Sequence, residues 1–235
     1  MITDGSIAPV AALLADPTRV GILWALVDGR PKPAGELARQ AGVRASTASE
    51  HLARLLAGGL VVVERHGRHR YYRIGGERVV AALEAMGALA GPAPSSGYRQ
   101  SSAARAVRHA RACYDHLAGA LGVDVTRALV ERGALVLGNE QYEVPPEGAA
   151  LLADRLGVDV GRARASRRQF AKACLDWTER SYHVAGALGA ELLERFRALG
   201  WLEPAEGSRA LRVTPSGRRG FRDVLGIDVL SSRYG

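Results

Sequence analysis

The sequence predicts a mainly α-helical chain with small β-wings: a winged helix-turn-helix domain, then a duplicated helical, winged-helix-like C-terminal domain. Three observations carry that expectation. Over the first ninety residues, helical apolar periodicity is interrupted once by a pair of β-rich runs. A Pro/Gly/Ser stretch with no hydrophobic pattern follows, and beyond it short phrases recur in the same order.

Each element has a local cause. Ile7 to Leu14 reads as a short helix. Asp16-Pro17-Thr18-Arg19 restarts one, with Asp16 as N-cap and Pro17 at the first helical position, where a missing N–H costs nothing. Val20, Leu23, Trp24 and Val27 then share a face, and Asp28-Gly29 closes the helix. Pro31 and Pro33 break the chain before a helix over Ala34 to Gln40; Ala41-Gly42-Val43 is a tight turn, and Ala45 to Leu56 is the next helix. Leu60 to Arg65 and Arg70 to Ile74 form a hairpin, and Glu77 to Leu89 a further apolar-faced helix. The expected division is a first domain over 1–90, a linker over 91–102 and a C-terminal domain over 103–235.

In that last part, Ala118-Gly119-Ala120-Leu121-Gly122 recurs as Ala185-Gly186-Ala187-Leu188-Gly189, with His116 and His183 at the same offset. Leu156-Gly157-Val158-Asp159 returns as Leu225-Gly226-Ile227-Asp228. Cys113-Tyr114-Asp115 resembles Cys174-Leu175-Asp176, although the second copy holds extra residues before its histidine. The reading is two copies, about 103–165 and 166–235, of helix, helix, short hairpin, helix.

The formal net charge of +8 favours a polyanionic partner. No cationic start precedes an apolar stretch, and no apolar run approaches the ~18 residues that span a bilayer, so a cytoplasmic chain without a membrane partner is expected. Two well-separated cysteines fit a reducing compartment.

The sharpest pattern is Glu36 to Val43 followed by Ser46 to Leu52. Two helices crossing closely need a small residue, Ala38; the turn needs a residue that tolerates positive φ, Gly42; an apolar plug follows, Val43. Short polar side chains at the start of the second helix reach base edges in a major groove. Candidate DNA-contacting residues are Arg44, Ser46, Thr47, Ser49, Glu50, His51 and Arg54 there, with Arg68, His69 and Arg70 on the hairpin. Glu50 has a second reading, an ion pair with Arg54 at i+4, and His51 could instead pack against the wing.

The phrases Ala15-Asp16-Pro17-Thr18-Arg19, Ser46 to Leu52 and Gly67-Arg68-His69-Arg70-Tyr71-Tyr72 resemble the ArsR/SmtB family of winged-helix repressors over roughly residues 7–90. The resemblance implies a homodimer joined by Ile7–Leu14 and Glu77–Leu89, a pseudo-palindromic double-stranded DNA operator, and release of DNA on binding an effector. Metal-sensing members often carry Cys-x-Cys on the first helix of the motif; here that stretch is Leu37-Ala38-Arg39-Gln40, without thiol or imidazole. Another family site uses Asp and His on the terminal dimer helix, where Glu77 and Glu84 are a poor soft-metal pair. The phrase from Cys174 to Gly186 also looks like the C-terminal region of a long-chain subgroup of these regulators.

Sensing is therefore expected in the C-terminal domain. Cys113-x-x-His116 would place thiol and imidazole one helical turn apart, and Glu179 and His183 would share a helix face. With Cys174, Asp176, Trp177 and Arg180 these are the candidate effector or metal residues, for a transition metal, a reactive thiol or a small organic effector. The plainer reading is two buried thiols, hydrogen-bonded histidines and an Asp/Glu–Arg network capped by Trp177. An enzyme is not expected: a Cys113–His116 nucleophile is conceivable, but no Gly-rich phosphate loop, His-Glu-x-x-His or Gly-x-Ser-x-Gly occurs. A non-specific architectural DNA binder is the other alternative; the polar face at Ser46–Ser49 argues against it.

Overall fold

The computed structural model describes residues 7–67, 69–90, 98–206 and 208–230. It divides into two compact units, Met1–Leu83 and Glu84–Gly235, so the boundary falls inside the helix expected to close the first domain.

In the first unit α1 (Ile7–Leu14) precedes α2 (Pro17–Leu26). The Asp16 carboxylate accepts a hydrogen bond from the backbone N–H of Arg19 at 2.9 Å, the N-cap read from sequence. That hydrogen bond holds the Asp16 carboxyl below its usual range. Ile22, Leu23 and Leu26 of α2 are fully buried beside Leu37 and Ala38 of α3 (Ala34–Gln40) and Ala48, Leu52 and Leu55 of α4 (Ala45–Ala57). Gly42 between α3 and α4 has φ +67°, and the next N–H, that of Val43, bonds back to Ala38 O at 3.0 Å. A side chain at Gly42 would meet no neighbour, so conformation alone calls for glycine there.

The wing is a three-stranded antiparallel sheet, β2 (Val61–His66) and β3 (His69–Ile74) joined by β1 (Lys32–Pro33) in the order β1-β3-β2. The sequence reading had only a break at Pro31 and Pro33. Lys32 lies opposite Tyr72, and its buried ammonium reaches both carboxylate oxygens of Asp28 at 2.9 Å. That ion pair holds the two-residue strand in place. Helix α5 (Glu77–Ala90) follows the wing and runs across the unit boundary.

In the second unit α6 (Tyr98–His109) comes first, so residues 98–102 are helical rather than the end of a linker; residues 91–97 of the expected linker lie outside the described residues. Two equivalent halves follow. One is hairpin β4–β5 (Arg111–Cys113, His116–Ala118), helix α7 (Ala120–Glu131), hairpin β6–β7 (Val136–Leu137, Tyr142–Glu143) and helix α8 (Pro146–Leu151), prolonged by a π-helical turn over Leu152–Leu156. After α9 (Val160–Arg164) the other half is hairpin β8–β9 (Ala173–Leu175, Tyr182–Val184), helix α10 (Gly186–Ala198), hairpin β10–β11 (Leu202–Pro204, Leu211–Val213) and helix α11 (Pro215–Leu225). A helix, α6 or α9, precedes each half, and a hairpin separates it from the next helix, where the sequence reading expected two successive helices. Both copies end alike, with Gly157 and Gly226 left-handed after the last helix.

One core spans both halves. Leu121 and Leu129 of α7 and Leu188, Leu193 and Phe196 of α10 meet Leu152 and Phe221 within it. Phe196, Trp201 and Phe221 form an aromatic trio with centroids 5.1–5.6 Å apart. The repeated Ala-Gly-Ala-Leu-Gly phrase has a packing origin: a Cβ at Gly122 would lie 2.6 Å from Leu117 O, and one at Gly189 2.6 Å from Val184 O. Each helix therefore starts pressed against the strand before it. Gly189→Ala should cost about 1–3 kcal/mol, read as a lower urea midpoint at unchanged slope.

Candidate nucleic-acid interface and a buried thiol–imidazole cluster

Helix α4 presents Ser46, Ser49, Glu50 and Arg54 to solvent, with Arg44 exposed at its N-cap, while Ala48, Leu52 and Leu55 face inward. The pattern follows from helical periodicity: the buried residues recur at three and four, and the polar ones fall between them. Thr47 is half-buried. The Ser49 hydroxyl donates to Ala45 O at 2.9 Å, which fixes its rotamer and leaves its lone pairs outward. No ion pair joins Glu50 to Arg54 among the described residues. His51 sits only 15% exposed, with Nδ1 3.7 Å from Asp16, so it packs on the start of α2 and not on the outer face.

On the wing, Arg65 lies directly opposite Arg70 and His66 directly opposite His69. The guanidinium charges of Arg65 and Arg70, opposed across the strands, repel each other, and an anion between them relieves the repulsion. Arg70 also stacks over Tyr72, its guanidinium carbon 5.5 Å from the ring centroid. Arg73 is neutralised by Glu64 at 2.9 Å. His69 and Arg70 are exposed; Arg68 lies outside the described residues.

The second unit holds a different constellation. Cys113 and His116 are cross-strand partners in β4–β5, and Cys174 and His183 are cross-strand partners in β8–β9. The two hairpins bring one ligand atom from each residue within 4.8 Å of all the others. The His116 and His183 Nε2 atoms face each other at 3.1 Å. Cys113, His116 and His183 are buried and Cys174 is half-buried. A hydrogen bond to the Cys174 thiol, together with burial, pushes Cys113 up to about 12. Burial pushes the His183 imidazole down.

Behind each imidazole stands a carboxylate of the same half. Asp115 Oδ1 lies 3.7 Å from His116 Nδ1, and Asp176 Oδ2 lies 3.7 Å from His183 Nδ1. Each is the second residue after its cysteine. Asp115 is ion-paired to Arg168. Asp176 is fully buried, pairs with Arg111 at 2.9 Å, and accepts from Gly119 N, Thr178 N and Oγ1, and Glu179 N. Burial alone would raise its pKa; Arg111 and these donors instead hold the carboxyl well below the usual range.

The comparisons with known proteins place a helix-turn-helix domain in the first unit. A family model described as a helix-turn-helix domain matches residues 14–64. YdfF, a helix-turn-helix-type transcriptional regulator of Bacillus subtilis, is 42% identical over 224 residues, covering 95% of this chain and 99% of its own. The chain belongs to the ArsR-type helix-turn-helix transcriptional regulators. The helix-turn-helix-type regulator KmtR of Mycobacterium tuberculosis is 42% identical over 73 residues, 31% of this chain and 55% of its own. The solved homodimeric winged helix-turn-helix DNA-binding domain of Mb0332 from Mycobacterium bovis is 34% identical, covering 37% of this chain and 79% of that one, at a TM-score of 0.34.

The regulator thus carries a helix-turn-helix DNA-binding domain, and no single helix among its described residues is long and apolar enough to cross a membrane. Its thiols and imidazoles lie on strands: Cys113 and His116 do not share a helix face, nor do Glu179 and His183, because β4–β5 and β8–β9 are hairpins. Of the six residues that the second copy adds between cysteine and histidine, two, Leu175 and Tyr182, form a further pair of the ladder and four lengthen the connection. Asp176, Trp177, Glu179 and Arg180 stand outside the four-donor group. Glu179 pairs with Arg108 at 3.0 Å, Trp177 lies under the Arg111 guanidinium at 5.3 Å from its centroid, and Arg180 is exposed at the turn. Sequence reasoning passed over Arg111 and Asp115, and counted Arg65 only within the basic segment from Arg44 to Arg73. The repeated Cys-x-Asp phrase was the available signal for Asp115.

Proposed function

We propose that this regulator is a sequence-specific, homodimeric repressor that binds a double-stranded DNA operator and releases it in response to an effector. The observation that carries the reading is the exposed row Arg44, Ser46, Ser49, Glu50 and Arg54 along α4 and its N-cap. Short polar side chains there read base edges, and the opposed Arg65 and Arg70 of the wing supply phosphate contacts. The uncovered apolar side of α1 supports the dimer: none of its residues is buried, and Ile7 is 61% exposed. Its partner in the dimer is the same helix of a second copy, with α5 beside it. A two-fold assembly of this kind places recognition helices in successive major grooves of a pseudo-palindromic site. For the effector, the second unit offers a cavity of about 350 Å³ between α6 and β11, lined by Ala106, His109, Leu211, Val213 and Arg218, a size that suits a small organic molecule.

The test is a pair of variants measured on operator and unrelated DNA over a salt series. Arg70→Ala should weaken binding to every duplex alike and lower the salt slope by about one unit. Ser46→Ala should change the preference among sequences at constant salt slope. Uniform weakening by Ser46→Ala, with no change of preference, contradicts its base-reading role.

A further inference from the structure

The four donors of the second unit, three buried and Cys174 half-buried, form an arrangement with its own chemistry. We infer that Cys113, His116, Cys174 and His183 form a tetrahedral site for a borderline-soft divalent ion of the zinc class, which clamps the two halves of the second unit together.

Four features of the geometry point the same way. First, the donor set is two sulfurs and two imidazole nitrogens, a combination that selects zinc-class ions in tetrahedral coordination over oxygen-seeking magnesium or calcium. Second, the spacing fits. Nitrogens each ~2.0–2.1 Å from a tetrahedral centre stand roughly 3.3 Å apart. The two Nε2 atoms are 3.1 Å apart, and all four donor atoms lie within 4.8 Å of one another. Third, the rings are oriented for it. Both imidazoles turn Nε2 toward the common centre and Nδ1 toward a carboxylate, Asp115 behind His116 and Asp176 behind His183. At 3.7 Å neither carboxylate is hydrogen-bonded to its ring, but each stands where an outer partner of a metal-ligating histidine belongs. Fourth, the site is symmetric. Each half contributes one Cys, one His and one Asp from one hairpin, at cross-strand positions that the duplication makes equivalent.

The charges also balance. Two thiolates and two neutral imidazoles would neutralise a divalent ion. With four protein donors the coordination sphere is closed, so the ion is held as a structural clamp and presents no vacant position for a reactant.

The experiment uses the purified full chain, metal-stripped under reducing conditions and titrated with Co(II), followed by Zn(II). The expected result is one Co(II) per chain, thiolate-to-cobalt charge-transfer bands in the near ultraviolet, and the intense visible bands of tetrahedral cobalt, all displaced by one Zn(II). Cys113→Ser and Cys174→Ser should each weaken uptake by at least about a hundredfold, more than the loss of an outer partner does. Circular dichroism checks that the variants fold, and the half-buried Cys174 is the position that best tolerates exchange. The wild-type spectrum alone overturns the inference if no thiolate–cobalt band appears, or if the visible bands are the weak ones of an octahedral ion. Undiminished uptake by both folded serine variants overturns it as well. Neither readout involves DNA, so the result stands apart from the operator-binding reading.

Discussion

Asp176→Asn should lower the unfolding midpoint of the regulator by roughly 10 °C, the largest loss expected from any isosteric change of one side chain. Asn fits the same space but cannot balance Arg111, whose side chain is wholly buried. Removing one partner of a buried ion pair costs about 3–5 kcal/mol, because the other charge is left in a medium that does not solvate it. For a chain of this length each kcal/mol moves the midpoint by ~2–4 °C. Glu84 at 3.7 Å and Thr178 Oγ1 at 3.2 Å remain to Arg111, so the loss belongs at the lower end of that range. Asp115→Asn is the contrast. It occupies the equivalent place in the other half, but its ion pair with Arg168 is about one-third exposed on both sides, and such pairs are worth ~0–1 kcal/mol. Scanning calorimetry of both variants with a chelator present reads the ion pair without the metal. Equal midpoints for the two would contradict the difference in burial on which the argument rests.

Chelation of the wild-type chain should produce a drop of similar size. An ion that binds the folded state alone stabilises it by ~4 kcal/mol when its free concentration is a thousand times its dissociation constant. With the same scaling the midpoint falls by roughly 10 °C when the ion is removed and recovers when Zn(II) is returned. The loss should be confined to the second unit, where the hairpins β4–β5 and β8–β9 meet. Hydrogen exchange should therefore accelerate in those hairpins and in the start of α7 and α10, while α2 to α4 keep their protection. A midpoint that ignores chelator and Zn(II) alike would count against the clamp.

How much of this was legible in the sequence depends on how local the cause is. The first unit is built from short-range rules: Asp16 caps α2, Gly42 turns between α3 and α4, and Ala38 lets them cross. Each is a property of a few adjacent residues, and each was readable. Strand β1 was not, because Lys32 and Pro33 become a strand only through Tyr71 and Tyr72 nearly forty residues away and through the buried pair with Asp28.

In the second unit the duplication is visible as a repeated phrase, but the local pattern points to helices at both Cys/His segments, where the structure has hairpins. Ala103 to Ala112 is alanine-rich and its helical pattern runs into Cys113-Tyr114-Asp115-His116, where a three-residue spacing fits a helix turn as well as a tight hairpin. Tyr114 decides it with φ +59°, a conformation that no helix contains. Strand pairing then sets Cys113 opposite His116, and the same register in β8–β9 sets Cys174 opposite His183. The four candidate donors were therefore named from sequence on an incorrect local geometry. What the sequence could not supply was the convergence of two hairpins sixty residues apart, which depends on the shared core of Leu121, Leu188 and Phe196.

The most direct measurement compares binding of the full chain to the DNA immediately upstream of its own gene and to the same fragment scrambled, at one fixed salt concentration. The exposed polar row of α4 predicts at least about a thousandfold preference for the native sequence, because base-edge contacts are lost on scrambling while phosphate contacts remain. Equal affinity for the two fragments, declining in parallel with salt, would contradict sequence reading and leave only backbone attraction.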